Sequence, residues 1–151
     1  MTEGTPTPVL RLALPGVVSW SRPRLARGGV RYPAAYARDR DAWGLLVAQA
    51  VREACWRPPR DARYRVAVVV RGGGKRDLDR VCTAVLDALQ AGGAVRNDCL
   101  VDVLIATRLP LRRGGRPSTA LELLAVRRGV VTAARARPRP SAPPAPNRRR
   151  P

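Results

Sequence analysis

The apolar residues of this chain change period twice within one short stretch, and that change restricts the fold more than any other feature. From Arg63 to Arg71 they alternate, with Tyr64, Val66, Val68 and Val70 on one face, as a half-buried strand requires. Three glycines, Gly72 to Gly74, interrupt the run. From about Leu78 to Ala91 the positions Val81, Ala84, Val85, Ala88 and Leu89 repeat at the period of an amphipathic helix, and Gly92-Gly93 supplies its stop. Leu100 to Arg108 returns to strand composition. Strand, helix and strand in this order predict a β-α-β unit, whose elements bury their apolar faces only against one another in layers.

The flanking segments extend the same pattern. Val9 to Leu14 reads as a first strand, stopped by Pro15-Gly16, and an arginine-rich loop with a turn at Gly28-Gly29 follows it. Trp43, Leu46, Val47, Ala50, Val51 and Ala54 predict a first helix over Tyr36–Ala54, ended by Pro58-Pro59. Thr119 to Val126 reads as a last strand, antiparallel to Leu100–Arg108 and joined to it by the basic loop Pro110–Pro117. The expected fold is one mixed α/β (α+β) domain, β-α-β-α-β-β, with a small mixed sheet. Residues 1–8 are expected to form a disordered lead, 9–130 the folded domain, and 131–151 a disordered tail rich in arginine and proline. The longest apolar runs, Val66–Val70 and Val101–Ala106, are strand-sized rather than membrane-spanning. Met1-Thr2-Glu3-Gly4 lacks the basic start and apolar stretch of a signal peptide, so a cytoplasmic location without membrane is expected. Cys55, Cys82 and Cys99 fit no metal-ligand spacing and read as reduced, mostly buried thiols.

The formal charge is +18, carried by 28 arginines and one lysine, Lys75. A small protein this basic ordinarily meets a polyanion, because each phosphate it neutralises releases counterions. The charge is unevenly distributed. Residues 77–102 hold five acids and two bases, a net of −3, whereas the rest of the chain holds six acids and 27 bases, a net of +21. Binding phosphate by charge alone needs no acidic patch. Cutting a phosphodiester does, since carboxylates hold the cation that bridges to the phosphate. The chain has no histidine. That excludes Ser-His-Asp and Cys-His nucleophiles, imidazole general bases and mixed Cys/His zinc sites.

Asp77 and Asp79 fall where a strand gives way to a helix, and Asp98 begins the next strand. With the helix packed back on the sheet, the three carboxylates are expected to be neighbours. Close carboxylates repel one another unless a cation neutralises them, and Mg²⁺ suits three hard oxygen donors. Each aspartate also has an ordinary reading: Asp77 as a helix cap, Asp79 as a first-turn acid facing the dipole, Asn97-Asp98 as a turn. Asp87 reads as a helix-face residue, with a place in the metal shell as its alternative; Asp39, Asp41 and Asp102 read as solvated or paired with arginines. Gly72-Gly73-Gly74-Lys75 lacks the first spaced glycine and the hydroxyl residue of a phosphate loop. Arg22, Arg24, Arg27 and Arg31 crowd one loop and read as phosphate contacts, while Trp20 is expected to pack beneath them.

Asp77-x-Asp79, then Leu86-Asp87-Ala88-Leu89, then Asp98 resembles the RusA family of Holliday-junction resolvases. Leu14-Pro15-Gly16, Arg22-Pro23-Arg24, Gly29 and Tyr32 resemble the family's opening, and the likeness runs from about Val9 to Val126. The resemblance implies a homodimeric, magnesium-dependent endodeoxyribonuclease of bacterial or phage origin, nucleoid-associated, that cuts four-way DNA junctions by paired symmetric nicks. It implies that Asp77, Asp79 and Asp98 are the catalytic metal ligands. Two positions depart from the family pattern. Arg80 stands in place of a common asparagine, and Thr83 in place of a lysine the family needs for cleavage. Lys75 is then the candidate catalytic cation, with Arg76 and Arg80 as further cations at the DNA. The alternatives are a DNA-binding protein of this fold that no longer cuts, and a basic RNA-binding protein.

Overall fold

A computed structural model describes residues 8–127 of the chain. The expected lead (all but Pro8) and the expected tail lie outside the described residues. In order, the elements are β1 (Val9–Pro15), β2 (Arg24–Ala26), β3 (Gly29–Arg31), α1 (Ala34–Glu53), β4 (Ala62–Arg71), α2 (Leu78–Ala91), a 3₁₀ turn (Asp98–Leu100), β5 (Val101–Leu109) and β6 (Ser118–Arg127). This is the expected mixed α/β order with one addition, the β2–β3 hairpin. Its strands have three residues each, too few to show any alternation in sequence.

Four strands form one sheet in the order β1-β6-β4-β5. β5 runs parallel to β4, whereas β6 is antiparallel to both β4 and β1. β5 and β6 therefore do run antiparallel, but β4 lies between them and they form no hairpin. β4 is central yet still alternates, with Tyr64, Val66, Val68 and Val70 buried and Arg65 exposed. A central strand keeps alternation when only one face of its sheet is covered. Here α1 and α2 cover that face, enclosing Leu10, Leu14, Leu121, Leu123, Trp43, Val47, Val81, Val85 and Leu89 in one core.

Both helices end in the same way. After α2, Gly93 takes a left-handed φ of 77°, and the N–H groups of Gly93 and Ala94 donate to the carbonyls of Gln90 and Leu89. After α1, Cys55 takes φ 46°, and Cys55 and Trp56 donate to Arg52 and Val51. The helix thus stops at Cys55 before the prolines are reached. Of the α1 positions read as apolar face, Trp43 and Val47 are buried, while Leu46 and Ala54 are exposed. All three thiols are free, as expected, but only Cys82 is buried; Cys55 and Cys99 are exposed, because one sits in a helix cap and the other in the 3₁₀ turn. No helix among the described residues is long and apolar enough to cross a membrane.

Candidate nucleic-acid interface and its carboxylates

The end of the molecule reached by the C-terminus of β4 gathers the features singled out in sequence. Gly72, Gly73 and Gly74 leave the strand with φ of 75°, 90° and 60°, all in the left-handed region. A side chain at Gly73 would meet Val17 at 2.9 Å, so that glycine also lets the loop after β1 pack against the strand exit. Lys75, Arg76, Asp77, Asp79 and Arg80 follow, all exposed. The Arg108 guanidinium, from the end of β5, donates to the Arg76 carbonyl and ties this loop to the same end of the sheet.

Asp77 occupies the N-cap position of α2, but its side chain accepts no capping hydrogen bond. Its carboxylate stands 3.6 Å from the Arg80 guanidinium instead. The capping explanation for Asp77 therefore accounts for its place in the chain and not for its side chain. Asp79 lies in the first turn, where negative charge is favourable beside the helix dipole. The Thr83 hydroxyl donates back to the Asp79 carbonyl at 3.1 Å, a local bond that leaves no cation at this position.

The arginine-rich segment belongs to this end as well. The Trp20 N–H donates to the Arg80 carbonyl at 2.9 Å, so the chain leading to β2 is fastened beside the start of α2. Trp20 is partly buried against the core, as a packing residue should be. Arg22, Arg24, Arg27 and Arg31 are all exposed, and none enters an ion pair among the described residues. The chain returning from β3 is anchored by Tyr32, whose ring lies 5.4 Å from that of Tyr36 and 5.3 Å from the Arg40 guanidinium. Tyr36 in turn donates to Asp87 of α2 at 2.7 Å. Burial, reinforced by this hydrogen bond and the Asp87 charge, pushes the Tyr36 phenol well above its ordinary range. Asp87 thus serves a clamp between the helices, a role not anticipated from its place on the helix face. Asp39, Asp41 and Asp102 pair with Arg38, Arg40 and Arg63, as expected.

Asp98 is elsewhere. It opens the 3₁₀ turn that precedes β5, and β5 begins opposite Tyr64, at the start of β4. Asp77 and Asp79 follow the end of β4. The helix between them, 14 residues at about 1.5 Å each, separates the two sites by roughly 20 Å. The expectation that the three carboxylates meet within one chain is corrected on this point. Packing the helix back on the sheet is what parts them, since a parallel crossover returns the chain to the strands' starting edge. Accordingly, no group of three or more acidic or cysteine side chains among the described residues is placed to hold a metal ion. Around Asp98, the Asn97 side chain accepts from the Cys99 N–H at 2.9 Å, and Arg96 lies near enough to Tyr64 to act on its phenol. The donor chemistry of Asp77 and Asp79 still suits magnesium, which is commonly held by one or two carboxylates together with a substrate phosphate. One chain supplies two of the three expected ligands at this end. Compared with known proteins, the chain matches no family model and no curated protein.

Proposed function

We propose that the protein is a magnesium-dependent endodeoxyribonuclease that cuts four-way DNA junctions, with each site completed by two copies of the chain. The observation that carries this reading is the pairing at one end of the molecule. Asp77 and Asp79 are exposed there amid Lys75, Arg76, Arg80 and the arginines rooted beside them at Trp20. In metal-dependent phosphodiester hydrolysis, bases grip the phosphates and acids hold the cation that stabilises the developing charge. Asp98 lies away from this end within its own chain; in this reading a second copy presents it. A two-fold dimer does so twice, and two sites related by a two-fold axis match a junction of the same symmetry. The likeness to RusA resolvases supports the same reading.

Magnesium, when bound, stabilises charge on the scissile phosphate. The chain's own groups do the rest. Asp77 and Asp79 fix the position of the cation, the arginines hold the flanking phosphates, and Lys75 supplies a mobile positive charge two residues from Asp77. Asp79→Asn should lower magnesium-dependent nicking of a synthetic junction by about 100-fold or more, the scale seen when one preorganised electrostatic group is lost. Junction binding should persist or tighten, since a negative charge near phosphates is removed. Undiminished cleavage by that variant would refute the site.

Thr83 favours a second reading, a protein that binds junctions without cutting them, because no ammonium stands at that position. Thr83→Lys separates the two. A large gain in cleavage marks an enzyme lacking its cation; unchanged, efficient cleavage assigns the cation role to Lys75 or a neighbouring arginine; and no cleavage from either protein leaves a binding module.

A further inference from the structure

The β2–β3 arm carries two opposed faces, and neither is explained by folding. Leu25 and Val30 are cross-strand partners and are 89% and 64% exposed. Arg24 and Arg31 are also cross-strand partners, on the other face, directly opposite one another. Two like charges across a strand pair are unfavourable unless something anionic lies between or above them. A two-stranded ribbon with three-residue strands is itself marginal in water, so an arm of this kind gains most of its order from what it touches. The tip is slim. Ala26 faces Gly29, and Arg27-Gly28 forms the connection, with Gly28 at φ 98°.

We propose that this arm is a wedge for branched DNA, in which Leu25 and Val30 enter an opened base step while Arg24 and Arg31 hold the phosphates beside it. The inference rests on the DNA-cutting reading above and goes beyond it by naming how the branch point is engaged. Small apolar side chains flanked by arginines are the chemistry by which proteins unstack and bend a duplex. At a branch point the unstacking cost is least, because the stack is already interrupted. A second copy of the arm is a poorer occupant. A two-fold contact through this face would bring together two arms that each carry Arg22, Arg24, Arg27 and Arg31, and two side chains bury too little apolar surface to offset the repulsion between arms this basic.

The test uses the full chain, a chelator to prevent cutting, and a synthetic four-way junction with 2-aminopurine at the branch point. Binding should raise the fluorescence as the base unstacks. Leu25→Ala/Val30→Ala should abolish that rise even at protein concentrations that saturate the junction; both side chains are exposed, so folding is not at risk. Arg24→Ala/Arg31→Ala should weaken binding and reduce the slope of log affinity against log salt by about 2 per chain, about 4 for the dimer. A rise that survives in the apolar double variant overturns the wedge while leaving the nuclease reading intact. A drop of that variant to half its mass in sedimentation overturns it too, by assigning the arm to a second copy. Failure of the native protein to bind the junction at all overturns both.

Discussion

Tyr36 and Asp87 join the two helices through a single hydrogen bond, and the environment of that phenol sets a dependence on pH. Because burial and Asp87 hold the Tyr36 proton beyond its ordinary pKa of 10.0, the folded chain keeps a proton that the unfolded chain releases. Stability contributed by Tyr36 is therefore fully present below about pH 10 and is lost as the pH rises above it. Tyr64, raised likewise by burial, acts in the same direction. Tyr36→Phe should cost about 1 to 3 kcal/mol near neutral pH, since the half-buried Asp87 carboxylate loses its donor. It should also lose less stability than the native chain between about pH 9 and 11. Melting temperatures across that range check both statements, and parallel slopes for the two proteins would contradict the assignment. Among the thiols, burial raises Cys82, so a thiol reagent should label exposed Cys55 and Cys99 first. Little at this scale was legible beforehand. Tyr36 marks a helix start in sequence, and nothing local announces a partner 51 residues away.

At the scale of elements, glycine patterns were readable but their purposes were not. Gly92-Gly93 reads as a single helix stop, yet only Gly93 has the left-handed backbone that a stop of this kind uses. Gly92 has an ordinary φ of −81° and is needed for packing, because a Cβ there would fall 2.5 Å from that of Val47 and 2.8 Å from the Gly44 carbonyl. Gly92→Ala should force α1 and α2 apart and destabilise by about 1 to 3 kcal/mol. Gly93→Ala should cost about 1 to 2 kcal/mol through backbone strain alone. Chemical denaturation of the two variants checks the pair, and equal native stability for Gly92→Ala would contradict the close helix approach. The β-α-β unit itself was legible from its changes of period, which is why β4, α2 and β5 lie within a residue or so of expectation. What went unread was the consequence of that unit's parallel strands. A strand that returns parallel to β4 begins at the far edge, and Asp98 goes with it.

The whole molecule combines a basic end with a carboxylate pair, and a third carboxylate at the opposite end. Composition revealed both the polyanion-seeking charge and its acidic exception, since neither depends on knowing the fold. How the acids could act together did not follow from one chain, because the fold keeps them roughly 20 Å apart along α2. If two copies share each site, activity should depend on dimer concentration. Affinity for junction DNA should also fall steeply with salt as arginine–phosphate contacts are screened. Titrations at several salt concentrations check the latter.

Subunit mixing tests the proposed two-chain site most directly. Co-expressed Asp79→Asn and Asp98→Asn chains form mixed dimers in which one site contains both substitutions and the other contains none. Purified mixed dimers, given magnesium and a synthetic junction, should regain nicking at one strand per junction, while each variant alone stays inactive. Mixed dimers as inactive as either parent would contradict a site built from two chains.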